Sequence, residues 1–148
     1  MTTSTMSRTI GPRQLVAAAP HGSPARRIAT TLAVVAGAAM VAWSAWLHYY
    51  LWSHFDYRVI HLLGVAFIAQ AVAGFVVAAA LLVIRRVITV AIGALYCASS
   101  AGALVLSSTV GFLGVHDDFS TPYAGLAFTT EVVGFVVLVG AGLAMLRR

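Results

Sequence analysis

The sequence predicts an all-α polytopic membrane protein, a four-transmembrane-helix bundle with both termini cytoplasmic. Charged residues make up only 9% and hydrophobic residues 61% of the 148 positions, whereas soluble domains carry about 25% charged residues. Four apolar runs are each long enough to cross a hydrocarbon core of roughly 30 Å. Arginines mark the ends of those runs and fall mostly on one side, as topology signals do. With a mean hydropathy of +0.95, the chain holds more apolar surface than a core of its own can bury, and lipid is the remaining solvent for it. None of the runs alternates polar with apolar residues, so helices are favoured over barrel strands, since each must satisfy its own backbone in lipid.

Residues 1–25 are rich in Thr, Ser, Pro and Gly without a sustained apolar period, which predicts a disordered cytoplasmic tail. The transmembrane domain is predicted over 26–148, with helices at about 28–50, 60–84, 87–111 and 123–146. The apolar run of the first helix is long for the core of a cleaved signal peptide and lacks a clear small-x-small exit. Arg8, Arg13, Arg26 and Arg27 precede the first run, Arg85 and Arg86 separate the second from the third, and Arg147 and Arg148 follow the fourth. Only Arg58 lies on the other side, so the positive-inside rule makes the arginine-rich side cytoplasmic. Trp43, Trp46, Tyr49, Tyr50, Trp52, Tyr57 and Tyr123 cluster toward the opposite boundary as an interfacial aromatic belt. The scattered arginines form no basic patch, which argues against a nucleic-acid partner.

Arg26-Arg27-Ile28-Ala29-Thr30 and Arg85-Arg86-Val87-Ile88-Thr89 open two hairpins of similar length, a hint of internal duplication about an axis along the membrane normal. Small residues recur at four-residue steps in Ala66-Gln70-Gly74-Ala78 and Gly93-Cys97-Ala101. Such stripes serve close helix packing, within the chain or against a membrane partner. Cys97 is the single cysteine, so neither an intramolecular disulfide nor a cysteine metal knuckle is available.

Glu131 is the side chain the membrane makes most costly, because it lies inside the fourth run, where an unpaired carboxylate costs up to a few kcal/mol. It is expected to face the bundle interior, with Arg58, His61 or His48 as its partner in a buried polar or ligand site. Gln70, on the second helix, is expected to glue helices together, and nine steps of about 100° put it on the face opposite His61. Ser99, Ser100, Ser107 and Ser108 can bond back to their own helix and need no further role. His48, His54, His61 and His116, with Asp117 and Asp118, offer imidazole and carboxylate donors of the kind zinc or copper accepts. Their spacings contain no i, i+3 or i, i+4 pair, and no metal is assigned. A haem between His48 and His61 requires both rings to point inward.

The segment His48-Tyr-Tyr-Leu51-Trp52, followed by Tyr57-Arg58-x-Ile60, Gly64, Phe67 and Gln70, resembles small four-helix integral membrane proteins of actinobacteria of unknown function, as does the acidic position Glu131 in the last helix. The resemblance covers most of residues 28–148 and departs at Val59 and His61-Leu62, where a proline-containing segment is expected. It implies a fold and a bacterial plasma-membrane location, and no activity. An all-arginine, Ala/Val/Gly-rich composition agrees with a high-GC bacterial genome.

Phosphate loops, cysteine pairs, nucleophile elbows and His-Glu-x-x-His are all missing from the sequence. The first expectation is therefore a non-enzymatic accessory subunit, with the lipid bilayer and a membrane-protein partner or second copy as its contacts and no predicted cofactor. The alternatives are a binder of a small ligand, metal or redox cofactor using Glu131, His48, His61 and Arg58, and an oligomeric proton-coupled transporter of a small solute.

Overall fold

The computed structural model describes residues 23–112, 116, 119 and 122–147. The segment 1–22 with Arg8, Arg13 and His21, the pair Asp117-Asp118 and Arg148 lie outside the described residues. The architecture is four antiparallel helices, α1 (Pro24–His54), α2 (His61–Val83), α3 (Val87–Thr109) and α4 (Ala124–Leu146), with one short 3-10 turn, Tyr57–Val59, between α1 and α2. Each of the four is long and apolar enough to cross a membrane, which makes the chain a multi-pass membrane protein.

Helix α1 runs beyond both ends of its apolar core. Its start is set by Ser23, whose side chain accepts from the Arg26 backbone N–H at 3.4 Å, and by Pro24 in the first turn. A hydroxyl cap satisfies an orphan donor, and proline needs no donor there. The boundary drawn from hydropathy is thus corrected: Pro24 and Ala25 belong to the helix and not to the tail. At its other end a ladder of rings, Trp43 on Trp46 at 4.9 Å, Trp46 on Tyr50 at 5.1 Å and Tyr50 on His54 at 4.6 Å, carries α1 past residue 50. These pairs are three or four residues apart, the separation that places side chains on one helix face. The 31 residues of α1 span about 46 Å, longer than a hydrocarbon core.

The chain then reverses through Asp56 at φ 59° and lays the carbonyls of Tyr57 and Arg58 against α2. Gly64 makes that possible, since a Cβ there would come within 2.8 Å of the Tyr57 oxygen and 2.9 Å of the Arg58 oxygen. At the opposite end, residues 84–86 suffice to turn α2 into α3. The Arg26 guanidinium donates to the carbonyls of Ala144 at 3.4 Å and Arg147 at 3.5 Å. A cation there answers the unpaired carbonyls that close a helix, and it fixes the start of α1 beside the end of α4. We call this the arginine end and the other the aromatic end.

Toward the arginine end, Val34, Ala38, Val41, Ala78, Leu81, Val90, Ala94, Cys97, Leu138 and Ala141 form a continuous core. Part of the small-residue stripes is spent inside it: Gly93 meets Leu81 and Leu138, and Cys97 packs on Gly134. Gly74 accommodates the Tyr96 hydroxyl and Ala45, atoms that a side chain would overlap. Ile28, Leu32, Val65, Val72, Val76, Ile92, Leu95, Val136 and Leu143 point outward. Apolar surface on that scale has no place in water and is the surface lipid covers. Helices α2 and α3 touch least of the sequence-adjacent pairs, and between them, toward the aromatic end, the bundle opens.

Candidate functional site in the aromatic half

A cavity of about 280 Å³ occupies this opening and is lined from all four helices. Leu47 and Leu51 of α1, Leu63 and Phe67 of α2 and Leu104 of α3 supply apolar wall, and Tyr57, Phe112 and Pro122 border it toward the aromatic end. Its polar groups are His48, Gln70, Ser99, Ser100, Ser107 and Glu131. An engineered apolar cavity of about 150 Å³ holds benzene, so this one suits a molecule of roughly a dozen non-hydrogen atoms.

Glu131 sits about 10 Å along α4 from Ala124 and is only 2% exposed. Its Oε1 accepts from the Ser44 hydroxyl of α1 at 2.8 Å and from the Ser100 hydroxyl of α3 at 2.6 Å. One carboxyl oxygen therefore joins three helices. Ser44 is fully buried, and both serines lie along their helices at the depth where α4 presents Glu131. Interhelical hydrogen bonds in bilayers are worth about 1–2 kcal/mol in peptides and less on average in proteins, so together they offset much of the carboxyl's cost.

His48 extends the cluster. Its Nδ1 lies 2.8 Å from the Ser44 carbonyl one turn back, and its Nε2 lies 3.3 Å from Ser100 Oγ. Phe67 packs tilted against the ring at 5.2 Å and stacks on Tyr57 at 4.6 Å, holding the imidazole in place. Gln70 borders the cavity, its backbone oxygen accepts from the Tyr96 hydroxyl at 3.3 Å, and its buried Nε2 has no hydrogen-bond partner.

The expected residues are thus divided. Glu131, His48 and Gln70 meet at the cavity, whereas Arg58 and His61 are exposed at the start of α2 and line no part of it. No ion pair forms between Glu131 and Arg58; the carboxyl takes serine hydroxyls instead. Arg58 stands in the 3-10 turn after α1 and His61 at the first residue of α2, both exposed, whereas Glu131 lies about two helical turns inside α4. With His61 outside, no pair of axial imidazoles faces a haem, and both nitrogens of His48 are already engaged. Among the described residues no three His, Cys, Asp or Glu side chains converge on a metal position.

Ser99 and Ser108 bond back to the carbonyls of Tyr96 and Val105 at 2.9 Å and 3.0 Å. Ser100 departs from that expectation and is the hub of the cluster. Ser44 carried no signal beyond being a lone hydroxyl in an apolar run. Setting Arg26-Arg27 over Arg85-Arg86 places Glu131 over Val72 and Ser44 over Ala103, so the site is not repeated in the two hairpins. Comparison of the chain with known protein families, curated proteins and solved structures gives no match.

Proposed function

We propose that this chain is a membrane-embedded binding protein for a small, mostly apolar molecule carrying a hydrogen-bonding group. The observation that carries this reading is the cavity itself, an apolar chamber whose polar groups, Glu131, Ser100, His48 and Gln70, come from all four helices. Ligand pockets are commonly of this make, apolar walls with a few convergent polar groups. The unpartnered Gln70 amide nitrogen favours a ligand with an oxygen acceptor, because a buried donor left unmade costs about 1–3 kcal/mol.

The membrane is the bacterial plasma membrane in this reading, with the arginine end cytoplasmic and the cavity in the outer half. The arginine distribution supports that orientation, and the resemblance to small actinobacterial membrane proteins supports the compartment. A role as an accessory subunit is compatible with ligand binding, but of the small-residue stripes that suggested it Gly74, Ala78, Gly93, Cys97 and Ala101 are buried within this bundle.

Native mass spectrometry of the protein released from lipid nanodiscs tests the reading. The wild type is expected to carry a small adduct, and Ala103→Phe, which places a ring in the cavity, is expected to lose it while remaining folded. Wild type and Ala103→Phe that are both adduct-free, and that bind nothing when offered total membrane extract, would refute it. For orientation, a cysteine at Arg85 should be labelled from the cytoplasmic side only; labelling from the periplasm reverses the topology.

A further inference from the structure

A hydroxyl has one proton to give, and Ser100 has two neighbours that can take it. Its oxygen lies 2.6 Å from Glu131 Oε1 and 3.3 Å from His48 Nε2. The tautomer of His48 is fixed from the other side. Nδ1 faces the Ser44 carbonyl at 2.8 Å, and a carbonyl only accepts, so Nδ1 carries a hydrogen and donates. Nε2 is then a bare acceptor in the neutral ring and a donor in the imidazolium.

Two arrangements satisfy every contact. In one, Ser100 donates to an ionised Glu131 and accepts from Nε2–H of a protonated His48. In the other, Glu131 is a neutral acid donating to Ser100 Oγ, while Ser100 donates to the bare Nε2 of a neutral His48. Ser44 donates to Oε1 in both. We propose that Glu131, Ser100 and His48 form a proton relay across α4, α3 and α1, holding one labile proton that moves between carboxyl and imidazole through the serine hydroxyl. In the transfer the Glu131 O–H bond breaks as a new O–H forms on Ser100, and the former Ser100 O–H breaks as N–H forms at His48 Nε2. The reverse shift restores the first state. The net charge of the cluster is unchanged, which is what a low-dielectric site tolerates.

Among the described residues, the other titratable side chains facing the cluster are Tyr96 and Cys97 of α3 and Tyr57 from the 3-10 turn; α2 presents the neutral Gln70, and Arg58 and His61 are exposed. Both ends of the relay border the cavity, so a molecule bound there can give a proton to one end or take it from the other. The relay stands on hydrogen-bond geometry and holds whether or not the cavity contains a ligand.

Nitrogen NMR of histidine-labelled full-length protein in lipid nanodiscs tests it, with the His48 signals identified by their loss in His48→Gln and with exposed His54 as internal reference. Neutral His48 is expected to carry its hydrogen on Nδ1. Glu131→Gln should move the Nε2 titration midpoint by about one pH unit or more, the scale of coupled groups. Ser100→Ala should also change the Nε2 signal, and Ser100→Thr, which keeps the hydroxyl, should restore it. A neutral His48 with its hydrogen on Nε2, a signal indifferent to Glu131→Gln, or equal behaviour of the Ala and Thr variants would overturn the relay. If Ser100→Ala fails to fold, the wild-type tautomer and the other two variants still decide.

Discussion

The two halves of this bundle use the same helices to opposite ends. Toward the arginine end, glycines and alanines let α1, α3 and α4 close around Leu138, which is fully buried, and the apolar core there is continuous. Toward the aromatic end, the same helices carry serines, a histidine and a carboxyl, and α2 stands off from α3 to leave a chamber. Close packing maximises dispersion contacts, the main force between helices once lipid has removed the hydrophobic drive. A chamber forgoes those contacts. The polar cluster compensates by linking α1, α3 and α4 at one oxygen, so the half that packs less is held by directed bonds.

That contrast is open to experiment. The largest effect belongs to Leu138→Ala, which empties volume in the packed half and should cost about 2–5 kcal/mol, as buried leucine truncations do, read from reversible unfolding in mixed micelles. The matching change in the open half, Leu104→Ala, should cost about 1 kcal/mol or less, because that side chain is only partly buried and already borders empty space. Equal losses for the two leucines would erase the distinction between the halves.

Next in size, Ser44→Ala and Ser100→Ala should each lose about 1–2 kcal/mol. Their double mutant should depart from additivity by at least about 0.5 kcal/mol, since both hydroxyls serve one carboxyl oxygen. Additive losses in the same unfolding assay would mean that the carboxyl does not couple the helices. Arg26→Ala, at the packed end, is the smallest change, about 0.5–1 kcal/mol for the loss of a cation on the last carbonyls of α4. Its signature should be faster hydrogen exchange confined to residues near Ala144; protection there unchanged from wild type would show that the guanidinium contact contributes nothing.

Residues differ in how far their roles could be read from the sequence. Glu131 was legible because the hydrocarbon core makes any carboxylate conspicuous; Gln70 was conspicuous for the same reason, but it was expected to glue helices, whereas its side-chain nitrogen stands unpartnered at the cavity. The start of α1 at Ser23-Pro24 was not read from the sequence, because hydropathy placed it four residues late and a hydroxyl cap with a first-turn proline leaves no mark on hydropathy. Ser100 looked like Ser99 and Ser108, all three able to bond their own backbone. Only the rotation of α3 about its own axis within the bundle turns one of them toward the carboxyl and leaves the others bonded to their own helix. Arg58 and His61 show the converse. Both were expected beside the carboxyl, but they stand exposed in the turn and at the first residue of α2, and where that turn ends did not follow from position along the chain.

The sequence by itself determined that lipid is the solvent, that four helices cross it, and that a buried carboxyl must find partners, because each of these follows from the energetic cost of polar groups in hydrocarbon. The tertiary structure alone decided who those partners are and that a chamber lies beside them. Hydrogen bonds across helices depend on the rotation of each rod about its axis, and that rotation is settled by the packing of all four together.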